Sequence, residues 1–262
     1  MRTLISIVAI VAGITPAPAS AAPLPEGSAD HFAGSQILKH EGAGTRTAAA
    51  PPTDGKVPGM DVSSHQGDVD WPDSWAKGAR FAYVKATEGT GYTNPKFGQQ
   101  YHGSFHVGMI RGAYHFALPD RSDGAAQANY FVDNGGGWAP DGRTLPPALD
   151  MEYNPYGDTC YGMSQATMTA WVRAFSTTVH ARTKRYPAIY TSTNWWNKCV
   201  GGSYNFGEHH PLWIAHYADK LGPLPAGFAF HTIWQWQAAG FFPGDQNLFN
   251  GKYDQLQRLA AS

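Results

Sequence analysis

The sequence is short of several things that mark common protein classes. Its 262 residues include only two cysteines, Cys160 and Cys199. That excludes a CxxC metal or redox motif and a cysteine-dense scaffold, and leaves one possible disulfide, closing a loop of about 40 residues. Charged residues make up only 15% of the chain and nearly balance, for a net charge of −1. Without an excess of Lys and Arg there is little to neutralise a phosphate backbone, so nucleic acid is not an expected partner. The one sustained apolar run, residues 4–14, is too short to span a bilayer, and no membrane anchor is expected. No internal repeat is visible. Eleven histidines are present, yet none forms the i, i+4 pair with an adjacent Glu that zinc hydrolases use, and His209-His210 point in different directions on a strand or loop. No metal and no other cofactor is expected.

What is present divides the chain into three parts. Residues 1–21 read as a secretory signal, with Arg2 as the positive region, the apolar run behind it, and Ala19-Ser20-Ala21 as a small-residue cleavage site. Its loss takes the formal charge to −2 and places the protein outside the cell, where Cys160 and Cys199 are expected to pair. Residues 22–56 are rich in Ala, Pro, Gly and Thr and poor in large apolar side chains. Such a stretch buries too little surface to offset its ordering entropy, so it reads as a flexible leader or pro-segment with, at most, a helical turn over 31–40. Residues 57–262 are dense in aromatics, glycines and β-branched residues, enough for one domain with a substantial core, expected to be monomeric.

Within that domain, strand-like runs recur at 59–63, 81–86, 110–116, 148–153, 188–191, 212–217 and 232–237. Helical patterns lie between several of them. Ser122 is placed to cap a helix through residue 134, and Ser164 another reaching residue 183, where Trp171, Phe175 and Val179 repeat at i, i+4, i+8. The alternation indicates an α/β fold with a mostly parallel sheet. After residue 189 helical periodicity weakens, so a single irregular (β/α) barrel fits better than a regular eightfold one. In such barrels chemistry collects at the C-terminal ends of the strands.

One strand ends in Leu149-Asp150-Met151-Glu152. Side chains two apart on a strand share a face, with Cα atoms roughly 6.5–7 Å apart. Like charges that close, and buried, raise each other's cost of ionisation, an arrangement suited to acid/base work on a glycosidic bond. A D-x-E pair alone also occurs at many solvated strand ends, so the neighbouring strand ends decide. They are polar or aromatic almost throughout: Asp61; Lys85 and Glu88; Tyr114; Tyr190; Trp213 and Tyr217; Trp234 and Gln235. Lys85 and Glu88 read equally well as a rim ion pair. Aromatic planes stack on the C–H faces of sugar rings while amides and carboxylates take the hydroxyls, which makes carbohydrate the leading ligand class.

Taken together, Gly59-Met60-Asp61-Val62-Ser63-Ser64-His65-Gln66-Gly67, Val84-Lys85-Ala86-Thr87-Glu88-Gly89, Gly112-Ala113-Tyr114-His115-Phe116, Leu149-Asp150-Met151-Glu152, Leu212-Trp213-Ile214-Ala215, Trp234-Gln235-Trp236 and Asp245-Gln246-Asn247-Leu248-Phe249 resemble glycoside hydrolase family 25, the Chalaropsis-type lysozymes. The resemblance runs through the whole domain in order. It implies a modified TIM-like barrel with fewer helices than strands, and a β-1,4-N-acetylmuramidase whose partner is bacterial cell-wall peptidoglycan. It also implies that Glu152 is the general acid, Asp150 its partner carboxylate, and Asp61 and Asp245 the other acidic groups of the groove. A retaining mechanism assisted by the substrate's own N-acetyl group follows from the same resemblance. Two other readings differ on particular residues. A chitinase-like barrel carries D-x-x-D-x-D-x-E, but Ala148 stands two before Asp150. A non-catalytic carbohydrate-binding barrel would be expected to have lost a strand-end carboxylate, and all four are present.

Overall fold

The computed structural model describes residues 30–42 and 55–262. The expected signal at residues 1–21 lies outside the described residues. Eight strands close into a barrel: β1 (Val57–Val62), β2 (Phe81–Glu88), β4 (Ile110–Phe116), β5 (Ala148–Asp150), β6 (Ala188–Thr191), β7 (Leu212–Ala215), β8 (Ile233–Gln237) and β9 (Asp245–Phe249). A two-residue strand, β3 (Tyr92–Thr93), folds back on β2. The first seven barrel strands run parallel, β9 runs antiparallel to both β8 and β1, and the β1–β2 pairing closes the ring.

Helices cover only part of this barrel. α2 (Trp71–Ala76), α3 (Phe97–His106), α4 (Gly124–Asp133), α5 (Gln165–Thr183) and α6 (Thr193–Cys199) follow β1, β2/β3, β4, β5 and β6 in turn, and α7 (Tyr253–Ala261) closes the chain. No helix follows β7 or β8. The fold is therefore the irregular barrel the sequence implies, with its irregularity in the last third. Ser164 caps α5 as expected, accepting from the Thr167 N–H. The α4 cap is different: Asp123, not Ser122, accepts the Ala126 N–H at 2.8 Å. The carboxylate is one residue closer to the first turn, and the Ser122 carbonyl instead takes the Trp171 indole N–H.

Strand alternation sorts the core into layers. Phe81, Tyr83, Tyr114, Tyr190, Trp213 and Phe249 belong to one cluster inside the barrel. Residues one position out of phase, such as Leu149, Ile189, Ile214 and Trp234, pack with Phe131, Phe175 and Trp196 from the helices. Two interior glycines make room for rings. A Cβ on Gly112 would meet the Tyr83 ring at 2.5 Å, and one on Gly59 would meet Phe81 at 2.3 Å. Tyr83 stacks on Trp213 with centroids 4.7 Å apart, which fills the barrel below its mouth.

Cys160, in the segment after β5, is bonded to Cys199 at the end of α6, with Cα atoms 5.3 Å apart and a separation of 39 positions in sequence. The loop-entropy relation assigns such a crosslink about 4 kcal/mol. A Cys160→Ser, Cys199→Ser chain is therefore expected to lose a stability of that order in urea titrations. Unchanged midpoints would show that the two segments are held without the crosslink.

Candidate active site

The inward positions turn polar at the end of the barrel where the parallel strands finish. Asp61 ends its run of inward residues on β1, Lys85 on β2, Asp150 on β5, and Gln235 on β8, while the antiparallel β9 brings Asp245 and Asn247 to the same level from its beginning. Asp61 and Asp245 are register partners. The Gln235 amide bridges them, donating to Asp61 Oδ2 at 2.9 Å and to Asp245 Oδ2 at 3.1 Å. Its carbonyl oxygen accepts from the Tyr190 and Tyr217 hydroxyls, each at 2.7 Å. Asn247 donates to Asp61 at 2.6 Å and accepts the Trp213 indole N–H at 2.7 Å. This lattice of fixed donors keeps the acidic pair in place.

β5 stops at Asp150, so Glu152 lies just past the strand rather than within it as the sequence pattern implied. Both carboxylates are nonetheless buried, at 0% and 1% exposure. Their surroundings differ. Neither oxygen of Asp150 has a hydrogen-bond partner among the described residues. Glu152 accepts three backbone N–H groups, from Gly34 at 2.8 Å to one oxygen and from Gln36 and Ile37, both at 2.9 Å, to the other. Burial, then the Glu152 charge, hold Asp150 well above the usual carboxylate range, with Lys85 pulling only partly the other way. Burial pushes Glu152 up to about 8 against those amide contacts and the Lys85 charge. Burial raises Asp61 to about 7 and, with the Asp61 and Glu152 charges, raises Asp245 well above its ordinary value.

Glu88 is the exception. Burial alone would raise it, but the Lys85 charge and hydrogen bonds from His31 and Lys85 hold it below the normal glutamate value. Lys85 donates to Glu88 at 2.6 Å. Asp150 and Glu152 raise each other's cost of ionisation, so one of the pair keeps a proton while the other is free to ionise, and across the groove Glu88 is ionised beside a cation. Such a division of protonation states is what acid/base chemistry at a glycosidic bond requires.

The three amides on Glu152 come from residues upstream of the barrel. Residues 30–42, within the stretch expected to be a flexible leader, carry helix α1 (Ser35–Glu41) across the barrel mouth. Composition concealed this because the segment's few apolar residues, Ala33 and Ile37, are buried in the barrel's own interior cluster rather than in a core of the leader's making. A cavity of about 380 Å³ remains beside α1, lined in part by Ile37, Glu41, Tyr153, Asn194 and Tyr217.

The sequence profile of the glycosyl hydrolases family 25 matches residues 60–245, from β1 to the start of β9. The N,O-diacetylmuramidase of Chalaropsis sp is 47% identical over 208 residues, which cover 78% of this chain and 99% of that protein. Lysozyme M1 of Streptomyces globisporus is 44% identical over 234 residues, 87% of this chain and 79% of that protein. Among solved structures, the muramidase from Acremonium alcalophilum superposes with a TM-score of 0.77 at 52% identity, covering 78% of this chain and 99% of that one. The chain belongs to glycosyl hydrolase family 25. It is a glycoside hydrolase.

In this family 25 barrel, Asp61, Lys85, Glu88, Tyr114, Asp150, Glu152, Tyr190, Tyr217 and Gln235 lie at or near the ends of the parallel strands, and Asp245 joins them from the start of the antiparallel β9. Two expected contact residues lie elsewhere. Trp234, one out of phase with Gln235, faces away from the mouth, packs in the layer beneath the helices, and donates its indole N–H to the His216 carbonyl at 2.7 Å. Trp213 is on the inward face but one layer down, stacked on Tyr83 and sealed under Asn247. Strand alternation explains both, because adjacent residues on β8 cannot share a face and Trp213 precedes the end of β7. Three mouth residues escaped the sequence reading. Asn247 could have been found, being two after Asp245 on one strand. Tyr153 and Tyr156 could not, since they reach the groove from the irregular segment after β5, where Tyr156 donates to Glu88 at 3.0 Å.

The raised carboxylates give the barrel a pH signature. Between pH 4.5 and 8 the folded chain keeps a proton on Glu152 that the unfolded chain has released, so stability falls as pH rises through that window. Below pH 6.5 the buried His115 and His210, held to about 4 by burial, work in the opposite sense. In the window from 6.5 to 8 the histidine contribution is gone, and the raised Asp61, Asp150 and Asp245 act in the same sense as Glu152. Thermal unfolding of the native chain is expected to shift downward across it, and Glu152→Gln to shift less. Equal shifts in both would remove Glu152 from the effect.

Proposed function

We propose that this protein is a secreted lysozyme that hydrolyses the β-1,4 bond between N-acetylmuramic acid and N-acetylglucosamine in bacterial peptidoglycan. The observation that carries this reading is the pair Asp150 and Glu152, buried together at the mouth with pKa values raised, in a barrel 47% identical to an N,O-diacetylmuramidase. Glu152 is protonated near neutral pH and so can give its proton to the glycosidic oxygen. Asp150 polarises the N–H of the muramic acid acetamide, whose carbonyl oxygen attacks the anomeric carbon from within the substrate. Water then opens the resulting ring, with Glu152, now ionised, taking the water's proton. Two displacements retain the β configuration. The Asp61–Gln235–Asp245 bridge and the Tyr190 and Tyr217 hydroxyls supply fixed groups for the ring hydroxyls.

Mass spectrometry of fragments released from purified peptidoglycan tests the bond assignment. Muramic acid at the new reducing ends is expected, and glucosamine there would overturn it. Proton NMR of the first-formed product tests the stereochemistry: the β anomer supports acetamide assistance, and an initial α anomer sinks it.

A further inference from the structure

We propose that residues 30–42 form an autoinhibitory pro-segment that occupies the substrate groove, so that the hydrolase is held closed until this segment is separated from the barrel. The inference rests on the glycan-cleaving reading above and goes beyond it.

Three charged groups of the groove, Lys85, Glu88 and Glu152, are engaged directly by the segment. Asp30 pairs with Lys85 and accepts the Ser64 N–H at 3.1 Å and its hydroxyl at 2.5 Å, and its carbonyl meets the His65 ring. The His31 amide donates to Glu88 at 3.1 Å, its ring faces the other Glu88 oxygen at the same distance, and its carbonyl accepts from Lys85. The Ala33 amide takes the Tyr114 hydroxyl as acceptor at 3.2 Å, and its carbonyl accepts from Gln235 at 3.0 Å. Gly34, Gln36 and Ile37 close over Glu152. At the far end Glu41 accepts from Ser192 at 2.5 Å, Tyr153 at 2.9 Å and Asn194 at 3.0 Å, while His40 stacks on Tyr153 with centroids 4.3 Å apart and planes 8° from parallel. A sugar cannot reach a carboxyl that is 1% exposed beneath three peptide amides.

The fit is specific to this sequence. Gly34 has φ +95°, and a Cβ there would stand 2.0 Å from the Tyr217 hydroxyl and 2.7 Å from that of Tyr190. Only glycine brings the backbone this near Glu152. The segment adds nothing to the barrel's closure, since β1 to β9 complete the ring without it. A barrel-length chain also stands folded by itself among relatives, as the Acremonium structure is matched over 99% of its length by 78% of this chain. The Streptomyces match, at 87%, is longer than residues 57–262 can supply and so runs into the leader.

The test uses the full chain with a site-specific protease recognition sequence placed within residues 43–54. A groove open one-tenth of the time weakens apparent substrate affinity about tenfold, so cutting is expected to raise wall-clearing activity by about that factor or more. Gly34→Val and Asp30→Ala are expected to raise the activity of the uncut chain toward the cut value, leaving the cut form unchanged. A synthetic peptide of residues 30–42 is expected to inhibit the cut form. Equal activity before and after cutting overturns the proposal. Amide exchange supplies a readout independent of catalysis: protection of Gly34, Gln36 and Ile37 in the uncut chain, lost in Glu152→Ala, supports the seating even where no form cuts cell walls, an outcome that would instead refute the muramidase reading. Exchange of these amides at unstructured-peptide rates overturns it.

Discussion

Replacing Glu152 by Gln is expected to lower kcat on peptidoglycan by about three orders of magnitude, while the cut enzyme continues to bind cell-wall fragments. A positioned general acid contributes 10²–10⁴-fold in rate, and the amide cannot supply the proton that the departing sugar oxygen needs. The substitution keeps side-chain size, so the barrel is expected to fold. It also changes the closed state. Two of the three backbone N–H groups on Glu152, from Gln36 and Ile37, go to a single oxygen. The Gln side chain can present one carbonyl oxygen and one NH₂ group, so at least one amide faces another donor. Residues 30–42 should therefore be held less tightly in Glu152→Gln than in the native chain. Near-native turnover would take Glu152 out of the acid role, and lost binding would assign it to substrate positioning instead.

Asp150→Asn is expected to separate stability from catalysis. Its two oxygens are buried without hydrogen-bond partners among the described residues, beside a second buried carboxyl. A group left that way destabilises the fold, and an isosteric neutral side chain removes the like-charge repulsion. The variant should unfold at a higher temperature than the native chain. Catalysis should move the other way, by about 10²–10³-fold in kcat, because a neutral amide stabilises the developing charge on the substrate acetamide far less than a carboxylate does. If the acetamide is the nucleophile, a substrate stripped of its N-acetyl groups should be turned over poorly by the native enzyme and by Asp150→Asn alike. Efficient cleavage of the stripped substrate by the native enzyme would overturn acetamide assistance. A Tm gain with a kcat loss is the signature of a residue retained for chemistry at a cost in stability.

Much of this molecule was legible locally. Period-two runs marked most of the barrel strands, and Ser164 and the i, i+4 aromatics marked α5. Weak helical periodicity beyond residue 189 foretold the bare strands β7 and β8. Asp61, Asp150 and Glu152 could be picked out because each lies at or just past the end of a parallel strand, whereas Asp245 was marked only by the family resemblance. Cys160 and Cys199, the only cysteines, pair as expected. Local patterns misled where two neighbours competed for one role. Ser122 and Asp123 both suit a helix cap, and the position of the first turn selected Asp123. Trp234 and Gln235 both suit a sugar site, and sheet phase turned only Gln235 inward.

The sequence by itself thus determined the kind of barrel and three of the carboxylates, because these depend on short-range periodicity and on residue types at strand ends, while the ordered motifs marked the family and, through it, Asp245. Only the tertiary structure decided which groups meet. Ring closure sets Asp61 against Asp245 and strings Gln235 and Asn247 between them, a contact across almost the whole domain that no local rule encodes. It also decided the place of residues 30–42. A segment too poor in apolar residues to fold alone becomes ordered when a charged, aromatic groove supplies partners for its backbone. Its order belongs to the barrel's surface and not to the segment's composition.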